Sequence, residues 1–156
     1  MVDKDSKLSQ MTGKKLDVVE YLKVRLDAAK EAGDKVKEGL IYGKLGILYN
    51  RLGDFRQAID YHTKALANAV EVGDRVGEGN AYCNLGNDYQ CIGGYKQALE
   101  YHLKNLQIVE ELEDKDGVGI AYGNLGIGYQ SLGDYQKAID HYNRSEEHTS
   151  ELQSQR

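Results

Sequence analysis

A forty-residue repeat is the feature that most constrains what this chain can fold into. Three copies begin at Gly39, Gly79 and Gly119, and each carries a Leu-Gly pair, a tyrosine and an alanine at the same offsets. The recurring residues are Leu45, Gly46, Tyr49 and Ala58, then Leu85, Gly86, Tyr89 and Ala98, then Leu125, Gly126, Tyr129 and Ala138. A fixed period of about 20–50 residues is typical of stacked supersecondary units. The sequence therefore predicts an array of similar units.

Apolar spacing predicts that each unit is a pair of helices. In residues 14–32, apolar residues recur at steps of three and four, which is the pattern of an amphipathic helix. A shift of forty residues places Tyr21 on Tyr61 and Gly33 on Gly73, so this segment matches the second helix of an earlier repeat. We predict helices over 14–32, 35–52, 55–72, 76–92, 95–112, 118–132 and from 135 onward.

Glycine and aspartate predict the helix ends. Four joints between predicted helices carry the pair, at Gly33-Asp34, Gly53-Asp54, Gly73-Asp74 and Gly133-Asp134. Glycine adopts the left-handed conformation just past a helix end, and the aspartate side chain accepts hydrogen bonds from free N–H groups of the next helix. Gly93-Gly94 lacks the carboxylate. Glu113-Asp114 lacks the glycine, so we expect that joint to be longer or looser.

Charge and apolar content exclude several classes of function. The net charge is −5, and residues 79–118 contribute −4 of it, with three basic and seven acidic side chains. The absence of a basic stripe argues against nucleic acid as a partner. No run approaches the roughly 18 apolar residues of a membrane span, and the polar N-terminus does not resemble a secretory signal.

The cysteines predict a reducing environment. On one helix, Cys83 and Cys91 would lie about 12 Å apart along the axis, which is beyond the roughly 7 Å between α-carbons that a disulfide allows. Two unpaired thiols fit a reducing compartment. We therefore expect a cytoplasmic protein and interpret both cysteines as packing residues.

No catalytic, metal or cofactor site is predicted. His62 and His102 are forty residues apart, and a residue that recurs with the period is typical of a structural role. The carboxylates between residues 110 and 116 fit a solvated helix end. The glycines between Gly123 and Gly128 do not follow a strand, as a phosphate-binding loop requires. We expect a protein that is not an enzyme.

The repeat pattern carries a family resemblance. Leu-Gly-x-x-Tyr followed by Ala-[Ile/Leu]-x-[Tyr/His]-[His/Tyr] resembles the tetratricopeptide repeat over residues 14–143. The forty-residue period and Gly-Asp joints are most similar to spindle-orientation adaptors of the LGN/Pins type. The resemblance implies an all-α fold, a right-handed superhelix of helix-turn-helix repeats. The chain departs from the common pattern in having no proline and in carrying Asn105 where Ala65 stands one repeat earlier.

The two ends lie outside the repeat pattern. Residues 1–13 are polar without periodicity, and we expect a disordered lead-in there. Residues 144–154 read RSEEHTSELQS, which resembles the translation of a common sequencing-library adapter. We therefore expect residues 144–156 to be a non-native tail with no evolved role. The alternative is a polar cap, which the ends of solenoids require.

The resemblance also implies a binding surface, because the first helices of this family line a concave groove. Each amide offers both a donor and an acceptor, which suits the backbone of an extended peptide. The solvent-facing amides and basic residues of the first helices, our candidate peptide-binding residues, are Lys44, Asn50, Arg51, Asn84, Asn87, Gln90, Asn124 and Gln130. In the alternative interpretation, Asn84 and Asn124 only bond neighbouring helices.

These observations favour a protein-protein interaction scaffold or adaptor that binds an extended peptide of a partner in its groove. The alternative is a regulatory or sensor array that belongs to a larger enzyme or signalling NTPase, of which this chain is a fragment. A flanking Walker motif would favour that alternative. Self-association through the ends of the array is a third hypothesis.

Overall fold

Helices account for the regular structure of the described chain. The computed structural model describes the backbone of residues 4–154 and the side chains of residues 17–154. This part contains no strand, and its helices are α1 (Lys4–Glu31), α2 (Lys35–Leu52), α3 (Phe55–Val72), α4 (Arg75–Cys91), α5 (Tyr95–Glu111), α6 (Lys115–Ser131) and α7 (Tyr135–Ser154). The bounds of α2 to α6 lie within three residues of the predicted ones. The prediction of an all-α repeat fold is confirmed.

The first helix is longer than the sequence predicted. Helix α1 begins at Lys4, whereas the apolar stripe predicted a start at Lys14 and a disordered lead-in before it. Once a helix has nucleated, each further residue adds a hydrogen bond at low cost, so a polar segment without an apolar stripe can extend it. Residues 1–3 of the predicted lead-in lie outside the described residues.

The chain divides into two compact units, Met1–Val72 and Gly73–Arg156. In the first unit, α2 packs against both α1 and α3. Leu45 of α2 is fully buried, and Tyr49 of α2 stacks on Tyr61 of α3 with 5.4 Å between ring centroids. The buried residues of this core are Val19, Leu22, Leu26, Ala29, Ile41, Tyr42, Leu45 and Ala65. The stripe predicted on α1 therefore forms part of this core.

In the second unit, successive helices pack in pairs, α4 with α5, α5 with α6, and α6 with α7. Leu85 and Leu125, the leucines of the Leu-Gly pairs, are fully buried, as is Ala98. A core cluster on α5 and α6 consists of Leu99, Val109, Val118, Ala121, Tyr122 and Leu125. The residues that recur with the period therefore provide much of the core, because a position that faces the neighbouring helix in one repeat faces it in the next.

The helix joints follow the predicted chemistry with one correction. Five joints contain a glycine with φ between 66° and 82°, and the side chains of Asp34, Asp74 and Asp114 each accept a bond from the backbone N–H three residues on. At the sixth joint Glu113 itself adopts the left-handed conformation, with φ 55°. That joint has three residues, as many as the joint at Gly93, so the expectation of a longer joint was wrong. The backbone at this joint keeps the left-handed geometry of the other joints, and Glu113 adopts it at a cost in conformational energy because it is not a glycine.

The glycine of each Leu-Gly pair faces an aromatic ring on the second helix of its repeat. A Cβ atom on Gly86 would overlap the ring of His102, and one on Gly46 would overlap His62. In the third repeat the ring that faces Gly126 belongs to Tyr142. An aromatic side chain therefore fills the space beside each of these three glycines.

Helix α7 does not stop where the repeat pattern stops. It continues to Ser154, and the Ser145 hydroxyl donates to the carbonyl of Gly119 at 2.7 Å. His148 stacks on Tyr122 with 5.7 Å between centroids. The segment after Asn143 thus packs on α6, although it lacks the expected sequence pattern. Its origin in an adapter stays a prediction, since helical packing does not reveal where a nucleotide sequence came from.

Candidate functional site

Five of the predicted binding residues lie in the second unit. Helix α4 carries Asn84, Asn87 and Gln90, and α6 carries Asn124 and Gln130. Asn87 and Gln130 are exposed, whereas Asn84, Gln90 and Asn124 are half-buried. All five therefore keep some contact with solvent, as residues that bind a ligand must.

Two of these amides converge on a thiol. The Nδ2 atom of Asn87 lies 4.0 Å from Sγ of Cys83, one turn earlier on α4. The Nδ2 atom of Asn124, on α6, lies 3.5 Å from the same sulfur. Cys83, Asn87 and Asn124 thus join the two first helices of this unit, and we call them the amide–thiol cluster.

The chemistry of the cluster follows from its burial. Cys83 is half-buried, and burial raises the pKa of its thiol, although the two amide hydrogen bonds act in the opposite direction. The thiol is therefore neutral at pH 7. The sequence analysis interpreted Cys83 as a packing residue and did not anticipate its contacts with Asn87 and Asn124. Its position one turn before Asn87 was the signal that could have placed it on the same face.

Asn124 also lines a cleft between α6 and α7. The cleft has a volume of about 600 Å³ and its wall includes Ile120 and Ile127, whose side chains are 60% and 42% exposed. The remaining lining residues are Asp116, Gly119, Gly123, Tyr142, Ser145, Thr149, Leu152 and Gln153. An amide between exposed isoleucines gives this surface both a hydrogen-bonding group and apolar contact area.

Gln130 is engaged elsewhere. Its Oε1 accepts a hydrogen bond from the Tyr142 hydroxyl at 2.9 Å, so its carbonyl is already paired with α7. The alternative role predicted for the asparagines, a bond to a neighbouring helix, applies to Asn124 through Cys83. Asn84 and Gln90 lie half-buried on α4, and their proposed binding role stays a prediction.

The remaining three predicted residues belong to the first unit. Lys44, Asn50 and Arg51 lie on α2, where Lys44 and Arg51 are exposed and Asn50 is half-buried. The two exposed cations are seven residues apart, about two helical turns, and so share one face of α2. A single groove across all three repeats stays a prediction.

Other site types find no support within the described residues. No group of three or more histidine, cysteine, aspartate or glutamate side chains between residues 17 and 154 could hold a metal ion. Cys83 and Cys91 are both free. In the part of the chain that the structure covers, every helix is too short or too polar to cross a membrane.

Family comparison agrees with the repeat pattern. Two models, each described as a tetratricopeptide repeat, match residues 77–150 and residues 41–76. The chain contains tetratricopeptide repeats. The longer match extends beyond Asn143 to Ser150, both within α7. Comparison with curated proteins gives no match.

Several solved structures share the fold of this chain. BtubC (BKLC) from P. vanneervenii is 23% identical with a TM-score of 0.84, over 90% of this chain and 59% of BtubC. The tetratricopeptide-repeat domain of Arabidopsis FLU is 28% identical with a TM-score of 0.70, over 77% of this chain and 98% of that domain. A Rap protein in complex with Competence and Sporulation Factor is 17% identical with a TM-score of 0.74, over 92% of this chain and 42% of the Rap protein.

Proposed function

We propose that this protein is an interaction scaffold whose first helices bind an extended segment of a partner protein. The observation that carries the proposal is the amide–thiol cluster, where Asn87 and Asn124 from two helices meet at one partly exposed position. A peptide backbone presents alternating donors and acceptors, and amide side chains can pair with both. Two amides held on neighbouring helices can therefore bind one extended segment.

The surroundings of the cluster supply contact area for side chains of the ligand. Ile120 and Ile127 flank Asn124 on α6, and both are exposed. A site that combines apolar surface with a few placed polar groups is typical of ligand recognition. The similarity to a Rap protein that was solved with Competence and Sporulation Factor supports a binding role for a fold of this kind.

The first unit, taken by itself, adds a charge preference. Lys44 and Arg51 are both exposed on α2, so a peptide segment that contacts this helix should carry acidic residues. Asn84 and Asn124 carry no charge, so recognition of the ligand near these two residues should depend on hydrogen bonds. Attraction between exposed charges is screened by salt, with a Debye length of about 8 Å at physiological ionic strength.

Selection from a random peptide library displayed on phage tests the proposal. The full chain serves as bait, and the affinity of each selected peptide is then measured by calorimetry. We expect Asn84→Ala and Asn124→Ala each to weaken binding about tenfold, because a hydrogen bond lost in a desolvated site costs roughly 1–3 kcal/mol. Lys44→Ala should weaken binding at low salt and have less effect at high salt.

Asn143→Ala is the matched control, because Asn143 is an exposed asparagine on α7 rather than on a first helix. It should leave the affinity unchanged, and circular dichroism should show the same helix content for every variant. Selected peptides that bind the Asn84→Ala/Asn124→Ala double variant as tightly as the wild type would exclude the first helices as the site.

Two finer aspects of the proposal follow from the sequence. The resemblance to spindle-orientation adaptors favours an adaptor role over the alternative of a sensor array in a larger enzyme or signalling NTPase. Sequencing of the flanking gene separates the two, since only the alternative requires a nearby catalytic domain. The two free cysteines favour the cytoplasm, where thiols stay reduced.

A further inference from the structure

The amide–thiol cluster restricts how its two amides can point. Both Nδ2 atoms, of Asn87 at 4.0 Å and of Asn124 at 3.5 Å, face the same sulfur. A neutral thiol has one S–H to donate, whereas its sulfur can accept from more than one N–H group. Two amide oxygens facing the sulfur would compete for a single proton. Sulfur as the shared acceptor satisfies both amides together.

This orientation decides which atoms remain for a ligand. An amide that turns its nitrogen toward Cys83 turns its carbonyl oxygen away from it. Asn87 is exposed and Asn124 is half-buried beside an open cleft. The site therefore presents two carbonyl oxygens to a ligand, and the ligand atoms that match these oxygens are hydrogen-bond donors. The second N–H of each amide, next to the one directed at the sulfur, remains a donor.

The arrangement is specific to the central repeat. Forty residues before and after Cys83 the chain has Gly43 and Gly123, which have no side chain to accept a bond. Asn87 is likewise unique, because the equivalent positions hold Ile47 and Ile127. A purely structural device would be expected in every repeat, as the Leu-Gly pair is. Cys83 and Asn87 depart from the period together and contact each other.

We propose that Cys83 is a positioning residue that holds the amides of Asn87 and Asn124 with their oxygens toward the ligand. The ligand then places donors at this point, either consecutive backbone N–H groups or a lysine or arginine side chain. This inference rests on the proposed function for its ligand, while the positioning itself can be tested without one.

The ligand-free test is NMR of the asparagine side-chain NH₂ groups in the full chain. In Cys83→Ala, the NH₂ signals of Asn87 and Asn124 should shift and their protons should exchange with water several times faster. Cys83→Ser keeps an acceptor and should restore much of the protection. Cys91→Ala is the matched control, because Cys91 is an exposed cysteine on the same helix. Unchanged Asn87 and Asn124 signals in Cys83→Ala would overturn the positioning role.

The ligand test uses peptides selected from the random phage library with the wild-type chain. Each backbone N–H of a selected peptide is N-methylated in turn, and each lysine or arginine is replaced by norleucine. One such change should weaken binding about tenfold, and this loss should disappear in Asn124→Ala and shrink in Cys83→Ala. The preference for donors would be overturned if removal of no peptide donor lowered the affinity. It would also be overturned if removal of a donor lowered the affinity equally for the wild type, Asn124→Ala and Cys83→Ala.

The outcomes separate this inference from the proposed function. A wild-type chain that selects no peptide contradicts the proposed function and the donor preference together. Peptides that depend on Asn84 and Asn124 but not on Cys83 support the function and contradict the positioning role. Peptides that lose donor preference in Cys83→Ala and regain it in Cys83→Ser support both.

Discussion

The imidazole of His102 occupies the space beside Gly86 that a side chain would otherwise fill. The ring is completely buried, and neither of its nitrogens has a hydrogen-bond partner among the described residues. Desolvation therefore lowers the pKa of His102 to about 4, from the ordinary 6.5. A buried ring that resists protonation makes stability depend on pH.

Stability should fall as the pH is lowered from 6.5 toward 4. The unfolded chain takes up a proton on His102 in this range while the folded chain does not, so protonation favours unfolding. With one pKa unit worth 1.36 kcal/mol, the loss should reach about 2 kcal/mol at pH 5. Urea unfolding at several pH values measures it. His102→Gln should flatten this part of the profile, and an unchanged slope would show that His102 does not cause it.

Filling the space beside Gly86 should destabilise the protein. In Gly86→Ala the new Cβ overlaps the His102 ring, and in Gly86→Leu the overlap is larger. Overpacking of this kind costs roughly 1–3 kcal/mol despite the better helix propensity of both residues. Thermal unfolding checks this expectation.

The matched control is Gly43→Ala, in the interior of α2. A Cβ on Gly43 meets nothing within 4 Å, so only helix propensity acts, and stability should rise by about 1 kcal/mol at most. A Gly86→Ala variant that melts as high as Gly43→Ala would refute the close contact between Gly86 and His102.

Relief of the strain at Glu113 should stabilise the joint between α5 and α6. A non-glycine residue in the left-handed region costs roughly 1–2 kcal/mol, and a glycine would remove this cost. Glycine also increases the conformational entropy of the unfolded chain, which offsets part of the stabilisation. Glu113→Gly should therefore raise stability by about 0.5–1 kcal/mol. The opposite change, Gly93→Ala at φ 78°, should lower it. Opposite shifts in melting temperature would confirm the conformational cause.

Removal of residues 144–156 should lower stability if α7 packs as the structure describes. The deletion leaves the Gly119 carbonyl without Ser145 and uncovers Tyr122, which is 9% exposed. The loss of this net hydrogen bond costs roughly 1 kcal/mol, and the loss of packing on Tyr122 adds to it, so the melting temperature should fall by several degrees. A non-native tail with no evolved role, as the sequence analysis expects, would instead be dispensable for stability.

Two point variants sharpen the deletion experiment. Ser145→Ala removes the hydrogen bond to Gly119, whereas Ser150→Ala changes an exposed serine on the same helix. Only the first should lower the melting temperature, because it removes one net hydrogen bond, which contributes roughly 1 kcal/mol to the free energy of unfolding. If neither the deletion nor Ser145→Ala has an effect, the tail does not pack on α6 in solution.

The fold was largely predictable because its signals repeat. Leu85 and Leu125 are buried for the same reason, and three copies of one pattern reinforce each other. Glu113 was misjudged because the sequence shows only that glycine is missing and not whether the backbone changes or the residue accepts strain. The role of Cys83 was missed because it depends on Asn124, forty-one residues away, and such a contact follows from packing rather than from local spacing.

The pairing of a glycine on the first helix with a ring on the second has a consequence for how such arrays change in evolution. Gly46 and His62 belong to one repeat, as do Gly86 and His102. A recombination event that breaks the chain at Gly73-Asp74 moves both partners together, whereas a break at Gly53-Asp54 separates them. In the third repeat the ring opposite Gly126 is Tyr142 rather than a histidine. A first helix that is transferred to this repeat without its second helix would therefore pack against a ring of a different size. The smallest segment that keeps each glycine with its own ring is therefore the whole helix pair.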